Sequence, residues 1–160
     1  MMAEKSGSKW GKVGGDAVLI GEFAHALDEK GRLTIPAKFR EDLGLRFIVT
    51  VGLDGCLACY PTAEWEKLAE RLKDLPMTNR DARAFVRMLM SGATEVELDR
   101  QGRIIIAPRL RDTSGLTTNA VIVGMNTRVE IWAEERWREY QASAQETFEA
   151  TAEKLVDLGL

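Results

Sequence analysis

Apolar and polar positions alternate in short runs along this chain, and glycine or proline separates the runs. From Ala17 to Leu27 the alternation predicts a strand, and the apolar triplet LTI at 33–35 resumes the pattern. The segment between them contains the glycine of EKG, so it is expected to form a hairpin-like connection. Two more strand patterns follow, RFIVTVG and CLACY, with the turn residues LDG between them.

Helical spacing predicts three helices in the first half of the chain. Pro36 and Gly44 flank the short helix AKFREDL. A second helix opens at Thr62 and is terminated by Pro76, and a third extends from about Asn79 to Ser91. One face of this third helix carries arginines. Such a stripe either binds phosphate or is an ordinary solvated face. It contains Arg80, Arg83 and Arg87.

One short segment occurs twice. The sequence DEKGRLTIPAKFR at 28–40 returns as DRQGRIIIAPRLR at 99–111, 71 residues later. The similarity continues at an offset of 72, where VTVG at 49–52 matches VIVG at 121–124. We infer a tandem duplication of about 70 residues, not a solenoid, because solenoid repeats are shorter and need at least three copies.

The second copy repeats the plan of the first. The sequence predicts the strands ATEVELD and RIIIA, a proline with a short turn, the strands AVIVG and RVEIW, and a final helix from about Glu134 to Leu158. The apolar stripe of that helix is suited to pack either on the body or on a neighbouring subunit. The predicted fold class is α+β.

Three regions are therefore expected. They are a flexible N-terminal tail at 1–16, a first repeat with two helices at 17–91, and a second repeat with a long C-terminal helix at 92–160. The lysines of the tail either contact phosphate or only solubilise the chain. The two repeats are expected to pack as one pseudo-symmetric domain, because neither has a disulfide or metal to stabilise a small core.

Charge is distributed unevenly over the 160 residues. The net charge is −3, but segment 28–40 carries +2 and segment 99–111 carries +3, which leaves −8 for the remainder. Basic segments on an acidic body would concentrate a polyanion onto those segments. The sequence has no apolar run near the roughly 18 residues that a membrane span requires, and no secretory signal, so we expect a cytoplasmic protein without a membrane partner.

Metal binding and catalysis are not expected. Cys56 and Cys59 form a CxxC pair, but residues three apart in a strand point to opposite faces, and His25 is the only histidine. Asp28 and Asp99 are symmetry-related, yet neighbouring cations would keep both ionised, so they do not suit a proton-sharing dyad. No nucleophile, zincin or phosphate-loop motif is present. We therefore predict no enzyme activity, no cofactor and no small-molecule substrate.

The duplicated DxxGR turn allows two interpretations. The aspartate either caps the turn and forms a surface ion pair with the arginine, or the arginine binds nucleic acid. A guanidinium can bind guanine O6 and N7 as a bidentate pair, and lysines neutralise phosphate. Since one such turn gives little contact, several subunits on successive DNA repeats would be needed.

These motifs resemble the MraZ family. The resemblance rests on the paired DxxGR loops with their apolar triplet and proline, on YPTAEWEKL, on RMLMSGA and on VEIW, and it extends from Gly21 to the C-terminus. It implies two AbrB-like halves that form a swapped-hairpin (double-split) β-barrel with peripheral helices. It also implies a nucleoid-associated regulator, expected to act as a repressor, of the division and cell-wall gene cluster. Its partners would be double-stranded DNA with short tandem promoter repeats and further copies of itself in a ring-shaped homo-oligomer.

The resemblance also assigns candidate residues. The family's DxxxR falls on Asp28 and Arg32 and again on Asp99 and Arg103. In the first copy Arg32 is expected to read a base edge, Asp28 to orient it, and Lys30 and Arg40 to contact or steer phosphate. In the second copy Asp99, Arg100 and Arg103 either bind DNA likewise or serve assembly.

The second loop departs from the family, because Gln101 replaces the loop lysine, and we expect a smaller effect there. The alternative function is an AbrB-like protein-binding module, an antitoxin or a scaffold. A protein contact of that kind would not weaken steeply with salt, as DNA binding does.

Overall fold

The computed structural model describes residues 18–160. This part of the chain contains eight strands: β1 (Glu22–Ala26), β2 (Arg32–Thr34), β3 (Arg46–Val51), β4 (Leu57–Pro61), β5 (Thr94–Glu97), β6 (Arg103–Ile105), β7 (Asn119–Gly124) and β8 (Val129–Ala133). It also contains six α-helices: α1 (Ala37–Leu43), α2 (Thr62–Leu72), α3 (Arg80–Gly92), α4 (Pro108–Ser114), α5 (Glu134–Glu146) and α6 (Phe148–Lys154). A short 3-10 helix follows at Leu155–Leu158. The predicted tail at 1–16 and Ala17 of the predicted first strand lie outside the described residues.

The two halves of the chain exchange strands. Six strands form one antiparallel sheet in the order β1-β7-β8-β4-β3-β5, and β2 pairs with β6 in a separate two-stranded sheet. The first strand of each half thus pairs with the third strand of the other half, β1 with β7 and β5 with β3. Because of this exchange, each half completes the sheet of the other.

The strand register defines a pseudo-two-fold axis. Ala58 of β4 lies opposite Glu130 of β8, and these residues are 72 positions apart. Leu33 of β2 lies opposite Ile104 of β6, and these are 71 positions apart. The register therefore reproduces both offsets of the duplicated sequence, and equivalent residues of the two copies meet at the axis.

A single large core joins the halves. Phe39 of α1 and Phe47 of β3 are fully buried together with apolar side chains of the second copy, and Phe23 packs edge-on against Phe39 at 5.2 Å. Burial of one such side chain stabilises the fold by roughly 1.5–3 kcal/mol. Members of the cluster from the second copy include Ile104, Ile106, Leu110, Ile122 and Ile131.

The mixed α+β class is confirmed, and two local predictions are corrected. Helix α4 replaces the predicted turn, because Pro108 begins it and Gly115 ends it in the left-handed conformation. Helix α1 is flanked by Pro36 and Gly44. The predicted final helix is broken at Thr147, whose φ of −109° and ψ of 9° are not helical. Beyond the break Phe148 is 71% exposed, and Val156 and Leu158 are exposed as well, whereas Ala152 and Leu155 are half-buried. Closure of the sheets into a barrel stays a prediction.

The two cysteines face different hydrophobic clusters. Cys59 belongs to the large core, whereas Cys56 packs with Trp132 in a smaller cluster. Burial raises the pKa of the Cys56 thiol to about 12 and raises the pKa of Cys59 as well. Both are therefore protonated thiols at neutral pH, on opposite sides of the sheet.

Two further features concern the described residues as a whole. Within residues 18–160, no group of three His, Cys, Asp or Glu side chains is arranged to hold a metal ion. No helix in the same range is long and apolar enough to cross a membrane.

The two faces of β6 predict opposite responses to one substitution. Ile104 is buried and Ile105 is exposed, so Ile104→Ala should cost about 2–5 kcal/mol of unfolding free energy. Ile105→Ala should cost no more than about 1 kcal/mol, from lost strand propensity alone. Urea denaturation followed by tryptophan fluorescence, at one protein concentration, measures both. Equal losses would contradict the register of β6.

Candidate nucleic-acid interface

The first DxxGR loop, 28–32, is a tight turn closed by its own backbone. The Gly31 amide donates to the carbonyl of Asp28 at 3.0 Å, and the Asp28 amide donates to the carbonyl of Arg32 at 3.0 Å. Gly31 has a φ of 81°, which residues with a side chain rarely adopt. The second loop, 99–103, has the same bonds, and its Gly102 has a φ of 77°.

The aspartate of each loop fixes the arginine that follows it. Asp28 Oδ1 accepts hydrogen bonds from the amides of Lys30 (2.9 Å) and Arg32 (2.8 Å), and Oδ2 accepts one from Arg32 Nε at 2.6 Å. In the second loop the corresponding bonds to Asp99 come from the amides of Gln101 and Arg103 and from Arg103 Nε, at 2.8, 2.9 and 2.8 Å. The turn-capping interpretation of the sequence thus describes the local geometry of both loops.

These contacts keep both carboxylates ionised. The hydrogen bond from the Arg32 amide lowers the pKa of Asp28 most, and the guanidinium of Arg32 lowers it further. The same causes lower the pKa of Asp99. Because the folded pKa is depressed, the contribution to stability is present above the ordinary carboxyl pKa of 3.8 and is lost as the pH falls through the folded value. A proton-sharing dyad is therefore not the role of this pair.

The ion pairs leave the ends of both guanidinium groups available. Asp28 and Asp99 bind the Nε edge, and within residues 18–160 the Nη atoms of Arg32 and Arg103 have no hydrogen-bond partner. The two arginine side chains are 31% and 25% exposed. The free Nη pair is the edge that a guanidinium uses for bidentate binding.

Both arginines lie on the same face of one β-ribbon, which we define as β2 with β6. Arg32 is opposite Ile105, and Arg103 is opposite Thr34. Residues that are opposite in an antiparallel pair share a face, so these four side chains point outward while Leu33 and Ile104 point into the core. The diagonal separation of the two arginine Cα atoms in such a pair is roughly 7–8 Å.

Each loop is held by the other half of the chain. The amide of Ile106 donates to the carbonyl of Gly31 at 2.8 Å, and the amide of Ile35 donates to the carbonyl of Gly102 at 2.9 Å. Since the strands of the ribbon are antiparallel, the loops lie at its two opposite ends.

The closing arginines of the duplicated segment pack against the loops in the same crossed manner. A Cβ on Gly31 would lie 2.9 Å from Cζ of Arg111, and a Cβ on Gly102 would overlap the guanidinium of Arg40. Arg40 Nε donates to the carbonyl of Ile35 at 2.8 Å, and Arg111 Nε donates to that of Ile106 at 3.0 Å. Arg40 is thus placed beside the second loop, not beside its own.

The structure therefore brings the predicted site residues of both copies together. Lys30 and Arg100 are exposed at the loop tips, and the six cations of this surface are Lys30, Arg32, Arg40, Arg100, Arg103 and Arg111. Sequence reasoning did not include Arg111, Thr34 or Ile105. The closing arginine repeated at 40 and 111 was a signal for the first of these, whereas the other two require the strand pairing.

A second candidate surface is an apolar groove of about 550 Å³ between α2, α3 and the sheet. Side chains from α3 form one wall, and Phe85 and Met88 remain 44% and 60% exposed there. The sheet side is formed by Ala58, Tyr60 and Glu130. We call this surface the α3 groove.

Comparison with known proteins agrees with the duplicated geometry. The family model described as "MraZ protein, putative antitoxin-like" matches the chain twice, at residues 18–88 and 89–159. A protein named "Transcriptional regulator MraZ" from Desulforamulus reducens is 55% identical, over 88% of this chain and 99% of its own length. A protein of the same name from Pelotomaculum thermopropionicum is 54% identical over 89% of this chain and 99% of its own length. Another from Syntrophomonas wolfei is 50% identical over 89% of this chain and 100% of its own length. The chain therefore belongs to the MraZ family.

Proposed function

We propose that this protein is a sequence-specific DNA-binding transcriptional regulator. The observation that carries the proposal is the ribbon face on which Arg32 and Arg103 lie on a diagonal and present Nη atoms that have no hydrogen-bond partner within residues 18–160. The curated relatives are named transcriptional regulators, which supports the assignment. We propose repression of the division and cell-wall gene cluster as the outcome, and association with the nucleoid as the consequence.

The ribbon fits the major groove of DNA. That groove admits a two-stranded β-ribbon, and a guanidinium that binds guanine O6 and N7 distinguishes that base from the others. We assign this reading role to Arg32 and Arg103. Lys30, Arg100 and the crossed Arg40 lie around the ribbon, where they are suited to neutralise phosphate and to fix the register of the protein on the duplex.

Asp28 and Asp99 have an orienting role in this proposal. Each holds the Nε edge of its arginine, so less side-chain freedom is lost when the Nη edge binds a base. The same ion pair offsets the charge of a carboxylate that would otherwise repel phosphate. The turn-capping interpretation and the DNA-binding interpretation are therefore compatible.

One ribbon provides too small an interface for tight binding, so we propose that several subunits bind short tandem promoter repeats. Two apolar surfaces within residues 18–160 support self-association. One is the α3 groove, and the other is the segment after Thr147, where Phe148, Val156 and Leu158 are exposed. If this segment of one copy occupies the groove of the next, the contact is heterologous, and heterologous contacts that close generate rings.

We also propose that the two sheets close into the swapped-hairpin barrel. The bridge between Leu27 and Leu33 joins the ends of β1 and β2, and side chains from both sheets share one core.

The alternative function is an AbrB-like protein-binding module. The antitoxin-like description of the family is the observation that supports this alternative.

The first prediction concerns the two reading arginines. Arg32→Ala and Arg103→Ala should each weaken binding to a fragment of the gene-cluster promoter by roughly 5- to 150-fold, because each removes a base contact worth about 1–3 kcal/mol. The replacement of the loop lysine by Gln101 favours a smaller loss of affinity for Arg103→Ala, whereas the matching geometry of the two loops favours similar losses. We expect similar losses for the two variants. Gel-shift titration measures the affinities.

A remote cation provides the control. Arg138 of α5 pairs with Glu22 and Glu134, so Arg138→Ala removes the same charge away from the ribbon and should leave the affinity unchanged. Equal losses in all three variants would refute the assignment of the ribbon face.

Salt dependence separates DNA binding from a protein contact. Affinity for the promoter fragment should fall steeply between 50 and 200 mM salt, by roughly 10³-fold or more if about six phosphates are neutralised. A Lys30→Ala variant should show a shallower slope by about one unit. An affinity that does not change with salt would favour the protein-binding module instead.

A prediction on assembly uses the α3 groove. Met88→Glu should lower the molecular mass of the assembly in solution. The charge placed in the groove would be buried against the neighbouring copy, which disfavours the contact. Met77→Glu is the matched control, since Met77 is also exposed but does not line the groove. Light scattering measures the mass, and an unchanged mass for Met88→Glu would exclude the groove as the contact.

A further inference from the structure

An exposed isoleucine lies on the cationic face of the ribbon. Ile105 is 62% exposed and belongs to neither hydrophobic cluster. A single exposed apolar side chain needs no special explanation on an ordinary surface. Here, however, Ile105 lies directly opposite Arg32, on the face that we propose enters the major groove.

The position equivalent to Ile105 in the first copy is Thr34, which lies directly opposite Arg103. The pseudo-two-fold axis thus places one arginine beside an isoleucine and the other beside a threonine. Threonine can use either its hydroxyl or its methyl group at a base edge, whereas isoleucine offers only an apolar contact. The two ends of the ribbon therefore differ in chemistry although their backbones match.

In the major groove the apolar feature of the base edges is the C5-methyl group of thymine. Across an antiparallel pair, opposite Cβ atoms are about 4.5–5.5 Å apart. This spacing is about one and a half times the roughly 3.4 Å between successive bases of one strand. When an arginine binds a guanine, the residue opposite it on the ribbon therefore lies over a base that is one or two steps from that guanine.

We propose that Ile105 is a specificity-determining residue that contacts the C5-methyl group of a thymine one or two base steps from the guanine bound by Arg32. This inference rests on the proposed DNA binding and adds one base to the word that the ribbon reads. The arginines supply the guanine contacts, Ile105 supplies the thymine preference at one end, and Thr34 leaves the other end less selective.

The test removes one methyl group from the DNA. Binding sites are first selected by the full chain from a random pool of duplex DNA. The selected fragment is then remade with each thymine replaced singly by deoxyuridine, which pairs identically but lacks the C5-methyl group. Affinities of these fragments are measured for the unmodified protein, for Ile105→Ala, and for Ile105→Val as the variant that keeps an apolar contact.

The expected result is a loss of about fourfold at one thymine for the unmodified protein, the size expected of one buried methyl group. For Ile105→Val, replacement of that thymine by deoxyuridine should still cause most of this loss of affinity. Ile105→Ala should bind the thymine fragment more weakly and show no further loss with deoxyuridine at that position.

The proposal is overturned if Ile105→Ala shows the same deoxyuridine losses as the unmodified protein. It is also overturned if no thymine is sensitive to the replacement. Neither outcome affects the proposed function, which is tested separately by Arg32→Ala on the unmodified fragment. If selection yields no binding site at all, the proposed function falls and this inference falls with it.

Discussion

The position of the candidate site depends on hydrogen bonds that cross between the two halves of the chain. The carbonyl of Gly31 is bound by the amide of Ile106, and the carbonyl of Gly102 is bound by the amide of Ile35. Each loop is closed by its own backbone and is also anchored to the strand end of the other half. The closing arginines repeat this crossing, since Arg111 packs on Gly31 in the same way as Arg40 packs on Gly102.

This constraint turns a duplicated sequence into one cationic face. Two separate halves would carry their arginines on unrelated surfaces, whereas the exchange of strands brings β2 and β6 together at the pseudo-two-fold axis. Buried Leu33 and Ile104 hold the inner face of the ribbon in the core. The outer face is thereby anchored to a packed core. Asp28 and Asp99 also fix the guanidinium groups by binding their Nε edges.

The sequence predicted features that local chemistry determines. The boundaries of α1 follow from Pro36 and Gly44, the opposite faces of Cys56 and Cys59 follow from strand geometry, and the turn at Gly31 follows from its need for positive φ. Features that depend on pairing between distant segments were not predictable in the same way. Thr34 and Ile105 became candidates only through the register of β2 with β6, and the break at Thr147 interrupts a helical pattern that periodicity alone extends to Leu158.

Methylation interference tests the central claim most directly, because guanine N7 lies in the major groove at the atom that a reading arginine would bind. The DNA fragment selected by the full chain is methylated at guanine N7, at about one site per molecule. The positions of the methylated guanines are then compared between protein-bound and free DNA. We expect that specific methylated guanines are excluded from the bound fraction, and that Arg32→Ala and Arg103→Ala each remove the interference at a different guanine. Bound and free fractions with the same methylation pattern, or interference unchanged in both variants, would contradict the claim.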